Sequence, residues 1–363
     1  MTKFEPLSVG VLLVLASVSS VAADNTYNLI QVGSGNTAMG EQSDPSVTNS
    51  LISQTQIGNN NDTTGEQQSF TESSEIVVVQ LGQGNTAEVE QSASVLTSIT
   101  VTQIGSNNFS IISQDGVLLS TIDSVQLGDG NVNGLVQDST LGSIINIVSI
   151  GDGNNANVAQ NSSVDISARG ITLGDSSSIT ITQESGQVNS ASGFQFGSMN
   201  TLSLTQNGGA GNAEVTVQTG NALNAQTFQI SANGSRSFIY QNNNNNSFES
   251  RQENVGNVSI GFQNGTSLEG IQNQIGNFSR GFIQQFGGLN FAELAQGGDF
   301  STSEILQFSG LLNNAVVVQL DAFNTVGVIQ TGDTNSTRLS QATVGNFATS
   351  AQFGDSNTIL GLQ

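Results

Sequence analysis

A register residue that returns at nearly even spacing constrains this chain more than any other feature. The unit is clearest at residues 74–91, which read Ser-Glu-Ile-Val-Val-Val-Gln-Leu-Gly-Gln-Gly-Asn-Thr-Ala-Glu-Val-Glu-Gln. An apolar run ends in Gln80, a Gly-x-Gly-Asn turn follows, and a second alternating run ends in Gln91. With Gln80 as the mark, equivalent positions fall at Gln31, Gln56, Gln103, Gln126, Ser149, Thr172, Gln195, Gln218, Gln241, Gln263, Gln285, Gln307, Gln330 and Gln352, a period of 22 to 25 residues. Self-similarity at such a period marks a solenoid or array, in which each repeat buries its faces only against its neighbours.

Each of the fifteen units carries a second mark: Gln42, Gln67, Gln91, Gln114, Gln137, Gln160, Gln183, Gln206, Gln229, Gln252, Gln274, Gln296, Gln319, Gln341 and Gln363. It follows the first by eleven residues everywhere except Gln307 to Gln319, where it follows by twelve. The return to the next unit shortens from fourteen residues to eleven along the chain, so one arc is tightly specified and the other tolerates insertion. Pro45 sits in the longest return, where it removes no ladder donor. Gly33, Gly58, Gly82, Gly105, Gly128, Gly151, Gly174 and Gly197 lie two after the first mark. Asn36, Asn61, Asn85, Asn108, Asn131, Asn154 and Asn200 lie five after it, as do Asn335 and Asn357 later on; Ser177 takes the place once. Gly, and to a lesser degree Asn, reach positive φ cheaply, as a tight strand–arc–strand corner requires.

Between the marks the period is two. Thr97, Ile99 and Val101 share a face with Gln103, and Ser98, Thr100 and Thr102 share the other; Asn108, Ser110, Ile112 and Gln114 align in the same way. Alternation over this length predicts strands. The expectation is an all-β, two-sheet β-solenoid of about fifteen strand–arc–strand rungs with cross-β stacking, over residues 24–363. The marked Gln, the corner Asn and the apolar residues between them face inward. Stacked about 4.8 Å apart, each side-chain amide can donate to one neighbouring rung and accept from the other. A lone buried amide would cost roughly 1–3 kcal/mol, so these residues make sense only as columns. A slip of one residue would turn the apolar set outward and break every column. One arm reads against this pattern: Ala213, Val215 and Val217 have the wrong parity for Gln218 and would leave Glu214 inside, which predicts a bulge or local flip.

Composition then removes function classes. The chain has no Cys, no His and no Trp, which excludes disulfides, Cys/His zinc sites and Ser–His or Cys–His catalysis. Residues 1–23 read as a secretory signal: Lys3, an apolar run from residue 9 to 21, then Ala22-Ala23 before a cut ahead of Asp24. The product is expected to be extracellular, at the cell surface. After that cut the cations are Arg169, Arg236, Arg251, Arg280 and Arg338, and the formal charge of the chain is −22. Nucleic acid and anionic membranes are poor partners for such a surface.

The pattern Ser-x5-Gln-x-Gly-x-Gly-Asn-x-Ala-x3-Gln, matched in full by Ser74, Gln80, Gly82, Gly84, Asn85, Ala87 and Gln91, resembles the curlin repeat of the curli subunits. These form the bacterial functional amyloid of biofilm matrix. The resemblance runs over essentially all of residues 24–363. It implies a secreted subunit that polymerises with itself, with a nucleating subunit and an outer-membrane export pore as further partners. Known curli subunits are shorter and carry a Gly-rich leader; here Asn25 is already in register. The regular last unit, Asn357, Ile359, Gly361 and Gln363, favours the major, fibre-forming role over the nucleating one. Register running from Asn25 to Gln363 predicts open strand edges suited to head-to-tail addition.

Other chemistries fit the residues less well. Gly-Asp-Gly-Asn at residues 128–131 and 151–154 suggests calcium β-roll turns, but those need a nine-residue period with Asp in each turn. Gly-x-Gly-Asn lacks the Lys and helix of a phosphate cradle. Thr100-Val101-Thr102 and Thr180-Ile181-Thr182 suggest an ice-binding array, yet Val77 and Val79 occupy equivalent outward places. No pair of acids reads as a general acid and base, so no enzyme activity, cofactor or metal is expected. The expected role is self-assembly into extracellular fibres for biofilm and adhesion. The alternative is a monomeric β-solenoid adhesin that binds a host or carbohydrate ligand.

Overall fold

The computed structural model describes residues 24–42 and 44–363. The secretory signal expected at residues 1–23 lies outside them. The described residues form no helix. Thirty strands lie in two parallel sheets of fifteen, with odd-numbered strands in one and even-numbered strands in the other. This is a two-sheet β-solenoid. Each rung is a strand, a tight corner, a second strand and a return, and is named below for its first register residue. The described residues divide after Ala156 into two compact units built of the same rung.

In the first unit the first strands pair parallel and in register, Gln31 beside Gln56, then Gln80, Gln103 and Gln126. The second strands do the same through Gln67, Gln91, Gln114 and Gln137. In the second unit the first strands run in register from Thr172 through Gln195, Gln218, Gln241, Gln263, Gln285, Gln307 and Gln330 to Gln352. The returns stack too. Isolated parallel bridges link Thr48, Glu72, Val95, Leu118 and Leu141 in turn. Pro45 lies outside these bridges, in a turn closed by the Val47 amide donating to the Asp44 carbonyl at 3.0 Å.

The core is a narrow slot between the sheets, filled by the inward half of each alternating strand. In the first unit Ile52, Ile76, Ile99, Ile122 and Ile145 stack as a fully buried column. Across the slot stand Ala87, Val89, Ile112 and Leu135. Each such Ile contributes about 1.5–3 kcal/mol by leaving water. Phe248 is the largest fully buried side chain, and Gly261 and Gly270 make room for it. A Cβ at either glycine would stand 2.3 and 2.5 Å respectively from the Phe248 ring.

One expectation fails. There is no bulge or flip at Ala213–Thr219: the strand pairs residue for residue with Ser190–Phe196 and Arg236–Asn242. Glu214 and Thr216 face inward, each 1% exposed, and Val215 and Val217 face outward. Register is set by the neighbours. A flip would turn Gln218 out of its column and unpair seven residues from both adjoining strands, so the chain keeps register and buries a carboxyl. A register shift does occur elsewhere, between Ile230 and Asn233 in Asn224–Asn233.

Candidate functional site

The polar columns are the chemically distinctive part of the molecule. In the first unit Gln31 donates through Nε2 to Gln56 Oε1 at 2.7 Å. Gln56 donates to Gln80 at 3.0 Å, Gln80 to Gln103 at 2.8 Å and Gln103 to Gln126 at 2.8 Å. The second marks repeat this at 2.6 to 3.0 Å, from Gln42 through Gln67, Gln91 and Gln114 to Gln137. In the second unit one column runs from Gln160 through Gln183 and Gln206 to Gln229. It continues through Gln252, Gln274, Gln296, Gln319 and Gln341 to Gln363. The other runs from Gln195 through Gln218, Gln241, Gln263, Gln285, Gln307 and Gln330 to Gln352. Every donor in these columns belongs to the lower residue number.

The remaining amide hydrogen crosses the slot. Gln80 donates to the Asp62 carbonyl at 3.0 Å, Gln103 to the Thr86 carbonyl at 2.9 Å and Gln126 to the Phe109 carbonyl at 3.0 Å. Each Gln therefore ties three strands: its own, the next rung's and the facing one. That satisfaction makes burial of a fully enclosed amide tolerable. Where Gln is replaced, hydroxyls find substitutes. Ser149 donates to Asn133 Oδ1 at 3.3 Å across the slot, and Thr172 donates to Gln195 Oε1 at 3.3 Å.

The corner has its own column. Asn85 Nδ2 donates back to Asn61 Oδ1 at 3.1 Å and forward to the Gly105 carbonyl at 2.9 Å. The Asn85 backbone amide also donates to Asn61 Oδ1, at 3.1 Å. Asn36, Asn61, Asn108, Asn131 and Asn154 extend this pattern in the first unit. In the second, Asn200 donates to the Gly220 carbonyl and accepts from the Leu223 amide. Asn335 donates to the Gly354 carbonyl at 2.8 Å, and Asn357 donates to Asn335 Oδ1 at 2.9 Å. Ser177 donates to the Gly197 carbonyl at 3.2 Å in place of Asn.

The corner glycines are required by rung spacing as well as by backbone angle. Gly33, Gly58, Gly82, Gly105, Gly128, Gly151, Gly174 and Gly197 all have φ between +110° and +144°. A Cβ on Gly82 would lie 2.0 Å from the Gly105 carbonyl oxygen, and one on Gly105 would lie 2.1 Å from that of Gly128. No side chain fits there while the strands stay at sheet spacing.

Two further columns stand where the reading of the sequence placed none. One is an Asx column three residues after the first mark. The Ser34 amide donates to Asn59 Oδ1 at 3.1 Å, Ser106 to Asp129 at 2.7 Å and Asp129 to Asp152 at 2.8 Å. In the second unit Leu311 donates to Asp333 and Asp333 to Asp355. Asp129 and Asp152, which hinted at calcium, thus accept backbone amides of the preceding rung. The other column is the Ser of the repeat motif. Ser74 Oγ accepts from the Thr97 amide at 3.3 Å, as Ser120 Oγ does from Ser143 at 3.0 Å.

Burial pushes Glu214 well above its ordinary range, and neither of its oxygens has a hydrogen-bond partner. Partial desolvation raises Glu66, helped by the like charges of Glu41 and Glu90 beside it on the outer face of the second-strand sheet. The Ser46 hydroxyl and amide hold Asp44 below the usual range. The described residues contain no cluster of three metal-ligating acids. The arrangement offers directional hydrogen bonding and strand pairing. No protein-family model matches the chain, and no curated protein matches it.

Proposed function

We propose that this chain is a structural subunit, secreted and added rung to rung with copies of itself into extracellular, curli-like amyloid fibres of a biofilm matrix or adhesive surface. One observation carries the reading: each rung presents on one side the acceptors that match the donors on its other side. Gln80 both accepts from Gln56 and donates to Gln103, in register with the parallel backbone pairing on either side. A rung from a second copy therefore completes the same bonds as a rung of the same chain, and such head-to-tail addition does not close. The resemblance of the repeat to curlin and the signal expected at residues 1–23 support export. By that resemblance a nucleating subunit and an outer-membrane pore are the partners. The role is non-catalytic and needs no cofactor.

The test is fibre diffraction on the chain after removal of denaturant. Reflections near 4.7 and 10 Å together with thioflavin binding are expected. A species that stays small by light scattering after days at high concentration would refute assembly and favour the adhesin.

A further inference from the structure

The two outer faces of the second unit differ sharply. On the first-strand sheet, outward positions from Ser167–Leu173 to Phe347–Phe353 carry a single carboxylate, Glu304, and three guanidinium groups. On the second-strand sheet, from Ser178–Glu184 to Thr358–Leu362, they carry five carboxylates and two guanidinium groups, Arg251 and Arg338, among mixed polar and apolar side chains. The first face is also aromatic. Tyr240 stacks on Phe262 with ring centroids 5.0 Å apart and 15° between planes, and Phe286 stacks on Phe308 at 5.7 Å and 17°. Phe262 and Phe286 join the two stacks at 5.7 Å. Phe238, on the same face, is 42% exposed.

From this face we infer that two copies of the chain pair laterally, first-strand sheet against first-strand sheet. Within each stacked pair the ring faces cover one another, and between the pairs Phe262 meets Phe286 tilted by 49°; the exposed edges and gaps fit interdigitating side chains of another sheet. The size is sufficient. Six strands, Ala213–Thr219 through Thr325–Thr331, at about 4.8 Å each and seven residues at about 3.3 Å, cover roughly 670 Å². Two such faces bury about 1,300 Å², within the range of specific interfaces. The charges select an orientation. A two-fold axis between the Gln263 and Gln285 rungs, with the copies antiparallel, brings the Gln241 rung over the partner's Gln307 rung. Arg236 of the first then stands near the carboxylate at position 304 of the second, twice by symmetry. Pairing of this kind closes at two copies and does not depend on end-to-end addition.

Sedimentation velocity on the freshly desalted chain, before fibres form, tests the pairing. A dimer is expected. Phe262→Lys with Phe286→Lys should give a monomer of unchanged circular dichroism, with the dimer constant weakened at least a hundredfold. Phe262→Thr with Phe286→Thr places a strand-favouring polar side chain there and should weaken pairing without added charge. Phe228→Lys with Val318→Lys, on the opposite face, should leave the dimer intact. Arg236→Glu and Glu304→Arg should each weaken pairing, and together restore it. A wild-type monomer at all soluble concentrations, or a dimer indifferent to the first-face variants, would overturn the inference. So would a monomer that co-sediments with phosphatidylcholine vesicles. Fibres without the dimer would leave end addition standing alone, and the dimer without fibres would do the reverse.

Discussion

Removing one amide from a Gln column should cost far more than removing a neighbouring outward side chain. Gln103 is fully buried and makes four hydrogen bonds. It accepts from Gln80 at 2.8 Å and donates to Gln126 at 2.8 Å and the Thr86 carbonyl at 2.9 Å, with the Ser110 hydroxyl at 3.2 Å sharing one of the two amide hydrogens. In Gln103→Ala, Gln80 keeps its bond to the Asp62 carbonyl but loses the partner of its second amide hydrogen. Gln126 Oε1 keeps the Ser110 hydroxyl at 3.0 Å. The Thr86 carbonyl loses its side-chain donor. Two groups are thus left short of a partner in a dry slot, at about 1–3 kcal/mol each, so the expected loss is roughly 2–6 kcal/mol. Thr102→Ala, one residue away on the outer face, should change stability by within about 0.5 kcal/mol. Urea unfolding of the freshly desalted chain, with hydrogen exchange read in Glu75–Gln83 and Ser98–Ser106, compares the two. Equal effects, or a Gln103→Ala loss below about 0.5 kcal/mol, would show that the columns are passengers of backbone pairing.

Gly105→Ala should destabilise more than Gly130→Ala, by over about 1 kcal/mol in the same unfolding assay. Both have positive φ, but a Cβ at Gly105 strikes the Gly128 carbonyl oxygen at 2.1 Å, whereas one at Gly130 meets nothing within 4 Å. For Glu214 the folded chain holds the proton more tightly than the unfolded chain, so stability falls as pH rises from the ordinary Glu value of 4.5 through the raised folded value. Relative to wild type, Glu214→Gln should gain up to tenfold in the folding equilibrium per pH unit in that window; parallel pH profiles would refute the burial argument. Fibre assembly should speed up between low and moderate salt, because a net charge of −22 and the Glu41, Glu66 and Glu90 column oppose close approach. A thioflavin lag time insensitive to ionic strength would remove charge as the brake.

Where the sequence was readable, two periods agreed. The eleven-residue spacing of Gln103 and Gln114 and the alternation of Ile99, Val101, Ser110 and Ile112 place the same side chains inward, and all are buried. At Ala213–Thr219 the periods conflict, and the apolar parity of one strand misleads. Pairing with Gln195 and Gln241 decides which residues face in, and that information lies in other rungs. The Asx column was hidden for a related reason. Its place is held by Ser34, Asn59, Gln83, Ser106 and Asp129 in turn, a variable turn residue within any one unit. Its logic shows only when the amide of one rung is set beside the side chain of the next. The aromatic stack was hidden because it changes column, from one residue before the mark at Tyr240 and Phe262 to one after it at Phe286 and Phe308.

The uniform direction of the Gln bonds gives each unit an electrical sense. An amide dipole is about 3.5 D, and dipoles aligned head to tail add, as they do along an α-helix. In both Gln columns of each unit the donors point toward higher residue number, so the side-chain dipoles sum instead of cancelling. A stack of such rungs is a one-dimensional polar crystal without a centre of symmetry, and fibres of copies oriented alike should double the frequency of incident light. Antiparallel pairs would cancel the axial component, and their fibres would grow equally from both tips. The intensity of that second harmonic, read before and after Phe262→Lys with Phe286→Lys, would therefore report whether neighbouring stacks run with or against one another.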